Sequence, residues 1–179
     1  KYRKEIITLI KPESKLKEII PLIKKQIKLN FQVFWVCPLI EQSKKLNFSS
    51  AKKKFSDINK LFPNNVGLIH GNMSIDERNK VLNLFIDKKI KILVSTTIIE
   101  VGINFPDANI IIIEDSNKFG LSQLHQLRGR VGRGSSVSYC ILTYKKNLST
   151  NAKKRLKILR ETNNGFIIAE EDLKIRGHG

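Results

Sequence analysis

Three arginines fall within six residues in the segment Gln126-Leu-Arg128-Gly129-Arg130-Val-Gly132-Arg133-Gly134, interleaved with three glycines. Glycine allows tight backbone turns, so guanidinium groups close in sequence can converge on one point in space. A guanidinium is planar, permanently charged and binds phosphate oxygens as a fork, which a lysine cannot do. Converging arginines at a helix end therefore suit a polyphosphate, or a phosphoryl group in transfer. A lone Arg-Gly pair is usually a solvated turn; the Q-x-x-G-R-x-G-R spacing after an α/β series is not.

The other ingredients of a self-contained catalytic centre are absent from the sequence. No G-x-x-x-x-G-K-[ST] occurs, so no loop cradles phosphates and no lysine reaches the terminal ones. No strand-like run ends in an Asp-Glu pair that would hold Mg²⁺ and polarise water. Cys37 and Cys140 lie far apart, and His70, His125 and His178 are scattered, so no zinc constellation is expected. G-x-S-x-G is missing, which removes the nucleophile-elbow reading. The arginines must act on a substrate that something else holds.

The elements that position them follow from periodicity. Apolar strand-like runs alternate with amphipathic stretches, the pattern of a parallel α/β sheet. Residues 14–29 read as a basic helix that Pro21 should break or kink. Residues 32–38 form a buried strand ended by proline, 50–61 a helix, and 66–70 a short strand running into Gly71. Ser74 and Glu77 make a capping box that opens a helix with Val81, Leu82, Leu84 and Phe85 as its apolar face. Strands follow at 90–95, 108–114 and 139–144, with a helix at 121–127, so five strands are expected. From residue 149 the period changes to a helical hairpin, 150–162 and 166–173, turning at Asn163-Asn164-Gly165. The expected division is a lobe at 1–146 and a hairpin at 147–179.

Composition narrows the class. The chain has 179 residues, 41% of them hydrophobic, and Lys+Arg 33 against Asp+Glu 16, a net charge of +17. That suffices for one domain with a real core and points to a polyanion partner. Lysines are scattered among many Ile and Asn, whereas six arginines (128, 130, 133, 155, 160 and 176) cluster late, which is the more telling feature. No apolar run approaches the roughly 18 residues of a membrane span, and the opening residues show no signal-peptide pattern, so no membrane partner is expected. Cys37 and Cys140 read as small buried hydrophobes in a reducing compartment, Trp35 and Phe34 as core, and Lys52-Lys53-Lys54 as a solvated face with at most a weak phosphate contact. The chain also reads as a fragment of something longer.

Q-x-x-G-R-x-G-R resembles the sixth motif of superfamily 2 helicases. Thr96-Thr97-Ile-Ile-Glu100-Val-Gly102-Ile-Asn104-Phe-Pro106 resembles their fifth, and Gly67-Leu-Ile-His70-Gly71-Asn-Met73 their preceding strand-loop. Three further strings are similar to the RecG-type branched-DNA helicases: Trp35-Val-Cys-Pro-Leu-Ile-Glu41, Gly120 to Gly134, and Asn164-Gly-Phe-Ile-Ile-Ala169 with Asp172-Leu-Lys-Ile-Arg-Gly177. This resemblance implies an α/β fold: a RecA-like parallel sheet flanked by helices, with a C-terminal helical hairpin. It implies the second motor lobe of an ATP-dependent enzyme acting on branched or duplex DNA in recombination and repair. A first RecA-like lobe of the same protein would hold most of the ATP and its Mg²⁺, and a wedge domain would select the junction.

Residue by residue, the resemblance implies that Arg130 and Arg133 act as arginine fingers, with Gln126, Gly102 and Asn104 beside the nucleotide. His70, Gly71, Thr96 and Thr97 would hold DNA phosphates. Arg155 and Arg176 would belong to a translocation motif in the hairpin. Asn104 stands where the family more often has Asp, so no charged role falls to it. Glu100 either pairs with a motif arginine or lies on a solvated helix face. A monomer in a bacterial cytoplasm, or in an organelle of bacterial descent, is expected. Two alternatives stay open: the related transcription-repair coupling factor, and a non-enzymatic nucleic-acid binder built on a degenerate lobe.

Overall fold

The computed structural model describes residues 6–38, 44–96, 103–132 and 136–177. Six strands, all parallel, lie in one sheet: β1 (Ile6–Pro12), β2 (Gln32–Val36), β3 (Val66–Ile69), β4 (Ile92–Ser95), β5 (Ala108–Ile113) and β6 (Ser138–Tyr144). Their order across the sheet is β1-β6-β5-β2-β4-β3. The helices are α1 (Ile20–Lys28), α2 (Lys44–Leu61), α3 (Ile75–Ile86), α4 (Leu121–Arg128), α5 (Thr150–Glu161) and α6 (Gly165–Gly177).

The side-chain period of two sorts the apolar strands onto two faces. Phe34, Val36, Leu93, Ile111, Ile113, Cys140 and Leu142 face α3, α4 and α5. Val33, Trp35, Ile92, Val94, Ile110, Ile112 and Ile141 face α1 and α2, where Ile23, Ile58 and Phe62 complete the second core. Both faces are covered, so the central strands are continuously apolar, as buried parallel strands must be. Leu156 and Leu159 of α5 and Ile168 of α6 enter the first of these cores, so the hairpin shares its hydrophobic contacts with the sheet.

Several expectations need correction. Five strands were expected and the sheet has six; β1 pairs with β6 from Ile6↔Ser138 to Pro12↔Tyr144. It is an edge strand, mostly half-buried, so its alternation is shallow, and its partner lies far along the chain. Pro12 ends it, which an edge tolerates because no ladder donor is needed there. Within α3, Leu82 and Phe85 are buried but Leu84 is 42% exposed, so the apolar face is narrower than expected. Lys54 is no solvated member of its lysine run, being ion-paired to Glu114 at 2.7 Å. Other local expectations hold. Pro21 marks the switch from a 3-10 turn (Glu13–Ile19) to α1. The Ser74 hydroxyl accepts from the Glu77 N–H at 3.1 Å. Trp35, Phe34, Cys37 and Cys140 are all buried.

Candidate functional site

The arginine-rich loop is positioned by α4. Leu121, Leu124 and Leu127 bury one stripe of this helix, while Gln126 and Gly129 remain exposed. Beyond the helix the chain is stitched to the segment before β5. The Phe105 N–H donates to the Arg130 carbonyl at 2.9 Å and the Gly132 N–H to the Ala108 carbonyl at 3.0 Å. The Arg130 side chain turns inward, 7% exposed, and its Nη1 donates to the Ile103 carbonyl at 2.9 Å. These three bonds place exposed Asn104 beside Arg130. Gly132 adopts φ 78°, and a Cβ there would lie 2.6 Å from Ser138 Oγ and 2.8 Å from Ser138 Cβ. Only glycine fits at that turn. Arg133, Gly102, Glu100 and Thr97 lie outside the described residues.

Two groups of expected site residues sit at opposite edges of the sheet. Asn104 and Arg130 lie near Ala108, at the edge where the parallel strands begin, and Gln126 is exposed on the last turn of α4 that leads to them. His70 and Thr96 follow the last residues of neighbouring β3 and β4, at the edge where strands end. The Thr96 N–H donates to the Ile69 carbonyl at 3.0 Å, and its buried hydroxyl is 3.4 Å from the same oxygen. Thr96 thus secures the loop after β3, with both of its donors directed at Ile69. His70 and Gly71 are more accessible. The ring of His70 meets Phe48 of α2 edge-on at 5.2 Å, and Lys52 lies 4.4 Å over Phe48. An accessible loop, a flanking lysine and a backbone turn can receive a phosphate without reading bases.

The two hairpin arginines reach this second edge. Arg155 Nη2 donates to the Asn117 carbonyl at 2.9 Å. Arg176 approaches Gly120, where a Cβ would lie 3.8 Å from its Nη2, and its Nε pairs with Asp172 at 3.3 Å. Asp172 also accepts from Ser122 at 2.9 Å, tying α6 to the first turn of α4. Residues far apart in sequence therefore converge on the short segment between β5 and α4.

Two structurally central side chains depart from the sequence reading: Glu114 was given no site role, and Arg128, one of the three arginines expected to converge on a phosphate, is buried against β1 and the end of α5 instead. Arg128 is 2% exposed and binds neutral acceptors on β1, α4 and the end of α5. Its signal was present: position 128 continues the buried stripe of Leu121 and Leu124. Glu114 is buried just past β5 and accepts from Trp35, Cys37 and Lys54. A carboxylate ending an otherwise apolar strand was the clue there.

Burial lowers the pKa of His125, and the neighbouring Arg128 charge lowers it further. Burial likewise lowers His70, against the raising effect of Glu77. Both rings are thus harder to protonate folded than unfolded. Stability is full above the usual histidine value of 6.5 and is lost as pH falls through the depressed folded values. Melting temperatures measured from pH 8 to pH 5 should fall below about pH 6.5, and His125→Gln should flatten part of that decline.

Comparison with known proteins gives a consistent result. The helicase conserved C-terminal domain matches residues 14–135. The ATP-dependent DNA helicase RecG of Acidithiobacillus ferridurans is 45% identical over 178 residues, covering 99% of this chain and 26% of that protein. RecG of Bacillus subtilis is 44% identical over 179 residues, again 99% of this chain and 26% of the relative. The solved structure of RecG bound to a three-way DNA junction is 40% identical and superposes with a TM-score of 0.83, over 99% of this chain and 23% of that one. The chain therefore spans about a quarter of the length of these relatives. It belongs to the helicase conserved C-terminal domain family, and within that family its similarity runs to the RecG helicases.

Proposed function

We propose that this chain is the second motor lobe, with its coupling hairpin, of an ATP-dependent helicase that remodels branched DNA. One observation carries the reading: the arginine loop and the hairpin arginines are joined by a single helix, α4, whose two ends lie at opposite edges of the sheet. A lobe that only bound DNA would need the His70 edge and nothing at the other.

The nucleotide-side donors are Gln126 and Arg133, amide and guanidinium groups that suit the phosphates of ATP but offer no carboxylate for Mg²⁺, with Arg130 anchoring the loop behind them. The metal and the phosphate-cradling loop belong to a first lobe. ATP, when bound, supplies a phosphoryl group whose transfer spreads negative charge over the terminal oxygens. Arg133 meets that charge, Arg130 holds the loop against Ile103, and Gln126 orients the exposed end of α4. Closing the two lobes brings these groups to the nucleotide, and reopening shifts the DNA-facing edge. A wedge domain elsewhere in the protein selects the junction. We place the protein in the bacterial cytoplasm as a monomer; no described helix is long and apolar enough to cross a membrane.

By itself the chain should bind DNA weakly and without sequence preference, and should not hydrolyse ATP. With about four phosphate contacts, affinity should fall about a hundredfold between about 50 and 200 mM salt. Fluorescence anisotropy with a labelled fork measures it, and salt-independent binding would count against a backbone-contacting edge. The full-length protein should turn over ATP on forked DNA. An inactive full-length protein would favour the binder reading instead.

A further inference from the structure

Arg128 falls on an unspecified position of the Q-x-x-G-R-x-G-R pattern, immediately before Gly129. Its side chain is nevertheless among the largest fully buried ones in the molecule. Nη1 donates to the Thr8 hydroxyl at 3.2 Å and to the Leu159 carbonyl at 2.5 Å. Nη2 donates to the Thr162 carbonyl at 3.0 Å and faces His125 Nδ1, also at 3.0 Å. All four partners are neutral. The compensation for burying this cation comes instead from the C-terminal end of α5, where unsatisfied carbonyls carry partial negative charge.

This is a costly way to glue two helices, since an apolar residue of similar volume would pack there without desolvating a charge. What the arginine adds is direction. A planar fork bonded to two carbonyls of one helix end fixes both the distance and the angle between that end and its own backbone. Its neighbours sharpen the joint. Gly129 follows it, exposed, at the start of the loop, and Gly165, the first residue of α6, lies where a Cβ would be 3.4 Å from His125 Nε2. At the opposite end of α4, Ser122 and Asp172 make a second attachment. The helix and the hairpin are thus held together at both ends, with Arg128 at the end that adjoins the finger loop.

We infer that Arg128 is a positioning residue that transmits the state of the nucleotide-facing loop to the hairpin, by fixing the end of α5 to the end of α4. The inference rests on the motor reading above and names the residue through which its two edges are coupled. Arg128 touches neither ATP nor DNA in this scheme. Its loss should separate fuel use from work rather than abolish both.

The test uses the full-length protein with Arg128→Lys and Arg128→Met. Lysine keeps the charge but cannot span the Leu159 and Thr162 carbonyls with a rigid fork. DNA-stimulated ATP turnover should stay within about threefold of wild type, while strands displaced per ATP should fall about tenfold or more. Hydrogen exchange supplies a readout that ordinary packing would not move. In the wild type, a non-hydrolysable ATP analogue should alter protection at residues 159–165, and in Arg128→Lys that response should vanish. Should the methionine variant fail to fold, the lysine variant carries the test. Equal losses of turnover and displacement would make Arg128 an ordinary structural residue and overturn the inference, as would unchanged coupling. A wild type that neither hydrolyses ATP nor displaces a strand would overturn the motor reading, and this inference with it. An active wild type with intact coupling in Arg128→Lys would overturn the inference alone.

Discussion

Replacing Arg133 with alanine in the full-length protein should lower DNA-stimulated ATP turnover by about 10³-fold while leaving nucleotide binding and the melting temperature of the lobe nearly unchanged. An arginine finger contributes where charge develops on the transferring group, so its removal affects the transition state and spares the ground-state complex. Arg130→Ala should behave differently. Its side chain is buried and donates to the Ile103 carbonyl, so alanine removes a loop anchor. A charged donor lost from a buried carbonyl costs about 2 kcal/mol, and this variant should therefore lose stability together with turnover. Steady-state ATP hydrolysis on forked DNA, paired with thermal melting, separates the two. Full activity in Arg133→Ala would remove the finger assignment. A stable but inactive Arg130→Ala would move it to Arg130.

The contrast between these arginines shows where sequence reasoning reaches its limit. Spacing put Gln126 on a helix and Arg130 and Gly132 in the turn after it, and the structure agrees: Gln126 is exposed on α4 and Gly132 turns with a positive φ. Direction was not legible. Whether a guanidinium points out to a ligand or back to Ile103 depends on a segment more than twenty residues upstream, and no local period encodes that. The parallel sheet itself was readable because strands covered on both faces are almost purely apolar, as in Ala108–Ile113. The strand β1 was not, since an edge strand needs only one partner and a shallow pattern, and that partner, β6, comes near the end of the sheet in sequence. Thr96 is a similar case. The family resemblance implied a phosphate role for Thr96, and its N–H and hydroxyl both point to the carbonyl of Ile69 at the end of the neighbouring strand.

Removing the Glu114 carboxylate should have the largest effect on the stability of this chain. Its Oε2 accepts from the Trp35 indole at 2.6 Å and the Cys37 thiol at 2.9 Å, and its Oε1 holds Lys54 at 2.7 Å. Burial pushes the Cys37 thiol well up, and Glu114 adds to the effect, so the sulfur stays protonated and donates. For Lys54, burial alone would lower the pKa, and the Glu114 carboxylate beside it raises it again, so the ammonium stays charged. Alanine at 114 would strand an indole N–H, a thiol and a half-buried cation at once. Breaking such a pair by deleting one partner typically costs about 3–5 kcal/mol, much of it the penalty of the charge left behind. Urea denaturation of the isolated chain should show this loss for Glu114→Ala. A double variant, Glu114→Leu with Lys54→Met, should recover part of it, because no buried charge then remains. A loss under about 1 kcal/mol would mean that water replaces the carboxylate and that the hub is dispensable. The consequence reaches the edge proposed to face DNA, because Lys54 sits on the helix that presents Phe48 and Lys52 to His70. Freed from Glu114, α2 loses its polar tie to the strand ends at the centre of the sheet, and the surface around His70 loses its support. DNA affinity of Glu114→Ala, measured at a temperature where the chain is still folded, should therefore fall along with stability, although Glu114 is buried and touches no phosphate.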